Sequence, residues 1–155
     1  MPNHCSNRVT ISAHEGTEDQ FKAVLKAFES ERPFQSLYPQ PDWPNIPNKD
    51  GVLPELREMK RPDGTVFTTT YYFPDGTNDD RWYDWCYKNW GTKWDAYDFH
   101  VADIDEECGY AEFTFNTAWA PADGIYKAIV DKFPDVGISW FYDEPGCELA
   151  GYLPD

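Results

Sequence analysis

Five prolines fall between Pro33 and Pro47, and Pro54 follows. Each fixes φ and removes a backbone donor, so neither a helix nor a central strand is expected to cross this stretch. Phe34, Leu37, Tyr38, Trp43 and Ile46 nevertheless make it too apolar for a loose linker. The expectation is a loop that packs back on the domain. Regular structure must then come mainly from the two flanks, and one core must join them across the proline-rich interruption.

The flanks carry clear periodicities. Residues 7–13 alternate, with Val9, Ile11 and Ala13 inward and Arg8, Thr10 and Ser12 outward, which predicts a half-buried strand. Residues 17–30 place Phe21, Val24, Leu25 and Phe28 on one helical stripe, with Thr17 and Gln20 spaced as a capping box. Residues 65–73 are β-branched and aromatic between Asp63-Gly64 and Asp75-Gly76, and with residues 52–60 they predict a hairpin. Residues 79–90 have helical spacing, with Asn78 or Asp79 as cap and Gly91 as stop.

Residues 96–102 set Tyr97, Phe99 and Val101 against Asp98, His100 and Ala102, and residues 110–117 set Ala111, Phe113 and Phe115 against Glu112, Thr114 and Asn116. Joined by the acidic turn 103–109, they predict a second hairpin. A helix follows from Pro121 to about Phe133, with Ile125, Ile129, Val130 and Phe133 on its core side. Val136, Ile138, Trp140 and Tyr142 mark a last strand.

Setting aside the proline stretch and first hairpin leaves strand, helix, strand, strand, helix, strand. That order predicts an α+β fold, the ferredoxin-like split βαβ arrangement, with an antiparallel sheet and two helices on one face. The helix at 79–90 is extra. The expected organisation is a single domain over 1–155 with an insertion at about 31–94. The sheet's other face would carry Arg8, Thr10, Ser12, Asp98, His100, Glu112, Thr114, Asn116, Ser139 and Phe141.

Charge narrows the function. The 155 residues hold 28 acids and 13 bases, a net −15. Residues 75–112 carry eleven acids and three bases, and residues 131–155 six and one. Such a chain is not built to grip nucleic-acid phosphates or anionic membranes. It suits a basic partner, divalent cations or plain solubility. Cys5, Cys86, Cys108 and Cys147 form no CxxC pair, so four free thiols and no zinc site are expected. No apolar run approaches the about 20 residues of a membrane span. The first residues lack the pattern of a signal peptide, so a cytoplasmic location is expected.

Three segments are distinctive as a set: Met1-Pro2-Asn3-His4-Cys5-Ser6-Asn7, the run Asn89-Trp90-Gly91-Thr92-Lys93-Trp94-Asp95-Ala96-Tyr97-Asp98, and Phe115-Asn116-Thr117-Ala118-Trp119-Ala120-Pro121. The last is followed by Lys132-Phe133-Pro134, Tyr142-Asp143-Glu144-Pro145-Gly146 and Ala150-Gly151. Together they resemble the YubB family of small proteins carried by phages, plasmids and prophages. The resemblance implies a ferredoxin-like fold, in agreement with the element order, and brings no established reaction. His4 stands where that family more often has an aromatic, and Cys147 where it is more apolar.

Chemistry has few candidates. Lys93 and Asp98 can be read as flanking a ligand between Trp90 and Trp94; a helix stop with two anchoring tryptophans is the favoured reading. His100 with Asp98 and Glu112 could form an acid–base or metal cluster, but outward side chains of any polar sheet face look the same. The sequence holds no GxGxxG, P-loop, HExxH or EF-hand pattern. The expectation is therefore not an enzyme, with no cofactor and no metal.

The expected function is protein–protein binding. Carboxylates would be presented to the basic surface of a host nucleic-acid-binding complex, as in an anti-CRISPR or anti-restriction inhibitor that mimics DNA. The residues expected to carry it are Asp79, Asp80, Asp84, Asp103, Asp105, Glu106 and Glu107. Two alternatives stay open: an accessory or regulatory module, and a small-ligand enzyme using the open sheet face.

Overall fold

The computed structural model describes residues 3–154. In chain order the elements are β1 (His4–Ser12), α1 (Glu18–Phe28), α2 (Pro33–Leu37), a 3-10 turn at Trp43–Asn45, β2 (Glu55–Lys60), β3 (Val66–Tyr72) and α3 (Arg81–Asn89). Then come β4 (Tyr97–Asp105), β5 (Tyr110–Ala118), α4 (Asp123–Lys132), β6 (Gly137–Glu144), a 3-10 turn at Pro145–Cys147 and β7 (Leu149–Tyr152). They form two compact units. One is built from the chain up to Pro39 and from Trp85 on; the other is Gln40–Asp84.

The first unit is an antiparallel sheet in the order β4-β5-β1-β6-β7. Its four leading strands have the ferredoxin-like order, with β1 and β5 central. Alternation sends Cys5, Val9, Ile11, Ala111, Phe113, Phe115 and Trp140 to one buried face. The apolar stripe of α1 covers it, and Phe28 stacks on Phe113 with centroids 5.0 Å apart. Ile125 and Ile129 of α4 and Phe34 and Leu37 of α2 complete the core. Asn7 is buried there with its hydrogen bonds met: its amide donates to Cys5 O and Thr117 Oγ1, and its Oδ1 accepts from Trp140 Nε1. A polar side chain survives inside because every bond lost to water is replaced.

Several expectations need correction. Proline does not keep helix out of the interruption, because α2 starts on Pro33 itself, where the missing N–H has no helical partner to lose. The first-turn amides, which have no acceptor within the helix, are met from far along the chain: Asp95 Oδ1 accepts from Phe34 N at 2.9 Å and Oδ2 from Gln35 N at 3.0 Å. Thr17 does not form a capping box with Gln20. Its hydroxyl bonds back to His14, accepting from the backbone N and donating to the backbone O, at 2.8 Å each. Gln20 Oε1 is left buried without a partner. β7 has no counterpart in the expected elements, since four residues after the turn at Glu148 are too few to show a period.

Two apolar residues expected in the core are outside it. Val101 is 49% exposed. It sits on β4, the outermost strand, whose register shifts twice and whose Asp98 has φ +50°. The same irregularity pairs Tyr97 with Asn116 on the open face rather than inside. Val130 is likewise 38% exposed near the end of α4.

The second unit holds the hairpin of β2 and β3, which form a two-stranded sheet of their own. Both its turns repeat Asp-Gly-Thr, and in each the Asp carboxylate accepts from the Thr N–H and hydroxyl. Arg81 ties the unit together. Its guanidinium donates to Asp79, Trp43 O and Pro47 O and lies over the rings of Trp43 and Phe73.

Candidate functional site

Helices of the first unit cover one sheet face, so the outward positions of β1, β4, β5 and β6 make the other. Partners across an antiparallel pair share a face. On that rule Arg8 stands with Thr114 and Phe141, Thr10 with Glu112 and Ser139, and Ser6 with Asn116 and Asp143. Asp103 pairs with Glu112, and Asp105 with Tyr110. Asp98 joins them by accepting from Asn116 Nδ2 at 3.2 Å. Five carboxylates, Asp98, Asp103, Asp105, Glu112 and Asp143, thus share a face on which Arg8 is the one Arg or Lys among the described strand residues. Arg8 is an incomplete counterweight: its side chain is 64% exposed and it lies 3.8 Å from Glu112.

The acidic residues expected to bind a partner divide in two. Asp103 and Asp105 lie in β4 rather than in the turn, with Glu106 and Glu107 just beyond, and all four are exposed. They sit together at the free end of the β4–β5 hairpin. Asp105 accepts from Cys108 N, which holds its carboxyl below the usual range and fixes the turn. Asp79, Asp80 and Asp84 belong to the second unit. Asp80 and Asp84 are exposed, but Asp79 is not a free surface anion. Its side chain is 4% exposed and grips Arg81 at 2.8 Å, which lowers its pKa.

The three distinctive sequence segments meet at one end of this sheet. Tyr97 OH is 2.5 Å from His4 Nδ1, and the rings meet edge to face. Burial, then the nearby Asp98 and Cys5, push the phenol up, so it stays protonated. Trp119 N donates to Asn3 O. Asp98 and Trp119 both have left-handed backbones, φ +50° and +70°, which cost non-glycine residues about 1–3 kcal/mol each. Periodicity could not find this cluster, because it comes from the ends of β1, β4 and β5 and a strand irregularity; the only signal was the distinctiveness of the segments.

The geometry also limits the chemistry. Burial pushes the thiols of Cys5 and Cys86 up to about 11. Hydrogen bonds to Asp105 and Glu144 raise those of Cys108 and Cys147. All four thiols are thus held toward the protonated form, the less nucleophilic one. Asp98, His100 and Glu112 do not form a linked triad: Asp98 goes to Asn116, Glu112 to Arg8, and His100 pairs with Thr114. No group of three His, Cys, Asp or Glu among the described residues could hold a metal ion. Trp90 is fully buried and donates to Tyr38 O at 2.8 Å, so its ring is not open for a ligand to stack between it and Trp94; Lys93 instead lies over the Trp94 ring. No helix among the described residues is long and apolar enough to cross a membrane.

The sheet order and its one-sided helical cover define a ferredoxin-like α+β domain. Residues 89–153 match the family model described as the ferredoxin-like domain in Api92-like protein. Among solved structures, that of a protein Api92 from Yersinia pseudotuberculosis is similar, with a TM-score of 0.50 at 11% identity over 98% of this chain and 93% of that one. At that identity the likeness concerns the fold alone. No curated protein matches the chain.

Proposed function

We propose that this protein is a binding module that offers an acidic sheet face to a basic protein surface. The observation that carries it is the set of five carboxylates against one arginine on the face the helices leave open, continued by Glu106 and Glu107 at the hairpin end. Several carboxylates on a stiff sheet hold their spacing without further ordering, which favours a site on the partner built for phosphates. The finer reading is an inhibitor of a host nucleic-acid-binding complex, of anti-CRISPR or anti-restriction type. The resemblance to the YubB proteins of mobile elements supports that setting, and the charge supports the mode. Neither role requires catalysis.

The test is capture of partners by the tagged chain, beside a variant carrying Asp103→Asn, Glu106→Gln, Glu107→Gln and Asp143→Asn together. The wild type is expected to retain a basic nucleic-acid-binding protein and to displace nucleic acid from it. The variant is expected to lose it by two or more powers of ten in affinity, on the order expected for several close charge pairs. Equal capture by both proteins would sink the proposal.

A further inference from the structure

A second site lies on the helical side of the first unit, away from the acidic face. It is a cleft of about 560 Å³ along α4, a volume ordinary for small-ligand sites. Asp123, Tyr126, Lys127 and Val130 line it at positions i, i+3, i+4 and i+7 of the helix, a stripe separate from the core pair Ile125 and Ile129. Leu153 and Pro154 are among the lining residues, and they make it mainly apolar. Val130 is exposed because it faces this space.

One end of the cleft is rigidly built. Gly124 N donates to Trp90 O at 3.1 Å, and Trp90 is itself locked in the core. A Cβ on Gly124 would fall 1.8 Å from Asn89 O, and one on Gly91 1.8 Å from Asp123 Oδ1. Two glycines thus let the Asn89-Trp90-Gly91 loop close onto the start of α4 and seat the Asp123 carboxylate beside it. One turn on, Lys127 carries the opposite charge, and no ion pair involves either residue among the described residues.

We propose that this cleft binds a small apolar zwitterion, of which an apolar α-amino acid is the simplest. The apolar part lies against Val130, Leu153 and Pro154; the ammonium faces Asp123 and the carboxylate faces Lys127. Asp123 Oδ1 accepts from Gly124 N at 2.9 Å, but neither it nor Lys127 is paired with an opposite charge among the described residues; a ligand with only one charged end meets one of them and leaves the other uncompensated, so both ends are selected.

The experiment is calorimetric titration of the full chain with L-phenylalanine, phenethylamine and 3-phenylpropionate. Phenylalanine is expected to saturate with a Kd of about 1 mM or below, and each one-ended analogue to bind at least about tenfold more weakly. Lys127→Met, at an exposed position, is expected to abolish the preference of phenylalanine over phenethylamine. Val130→Trp fills the cleft and is expected to remove all binding, with a thermal melt to show that it folds. Absence of saturation by all three ligands, equal binding of the three, or an unchanged preference in Lys127→Met overturns the proposal.

Discussion

At the scale of single residues, Arg81 and the two close-packed glycines show how far one atom can matter. The pairing of Asp79 with Arg81 lowers the Asp79 pKa, so the folded state favours the ionised form. That contribution is fully present above the ordinary aspartate value of 3.8 and is lost as pH falls through the lower folded value. Asp79→Asn is expected to cost about 1–3 kcal/mol at pH 7 and almost nothing once wild-type Asp79 is protonated. Denaturant melts of both proteins at neutral and strongly acid pH check this; a penalty unchanged by pH would contradict it. The thiols give a second prediction. In native protein at pH 7 a thiol reagent is expected to leave buried Cys5 and Cys86 unlabelled and to react slowly with Cys108 and Cys147. In denaturant all four are expected to label.

At the scale of elements, what the sequence reveals depends on whether the cause is local. The stripes of α1, the alternation of β1, β5 and β6 and the Asp-Gly turns of the hairpin are all local, and all are legible. Asp95 is the opposite case: nothing near Pro33 announces that a carboxylate some sixty residues on will accept the amides of α2. The two register shifts of β4 hide in a run that alternates well on paper, which is why alternation points Tyr97 inward; Val101 keeps the side of its partner Phe113 but is exposed on the outermost strand. Of the acidic face and hairpin end, the cluster Asp103, Asp105, Glu106 and Glu107 stands out from charge alone. The alternation already puts Asp98 and Glu112 on the open face; Asp143 required the pairing of β1 with β6, strands distant in sequence, and the burial of Asp79 required Arg81 to fold back. The contact between Asn89-Trp90-Gly91 and α4 carries its own prediction. Gly124→Ala meets a backbone oxygen and is expected to destabilise by about 1–3 kcal/mol, by overpacking. Gly16→Ala meets nothing and adds only the strain of its φ of +84°, so it is expected to cost less in the same thermal or denaturant melt.

At the scale of the whole molecule, charge governs encounter more than residence. With a net −15, association with a basic partner is expected to slow as salt rises, since the Debye length falls to about 8 Å at physiological ionic strength. A salt series of association rates, with the fourfold neutralised variant alongside, checks this; rates that ignore both would point to an apolar interface. The uneven outer border of β4 has a different consequence, for behaviour in concentrated solution. A foreign strand can extend a sheet only along a border with a regular ladder of free amides and carbonyls. The left-handed Asp98, the two register shifts and the aspartates along β4 break that ladder and surround it with negative charge. On that side the sheet is a poor template for fibre growth, and a straightened β4 is the change expected to make it a better one.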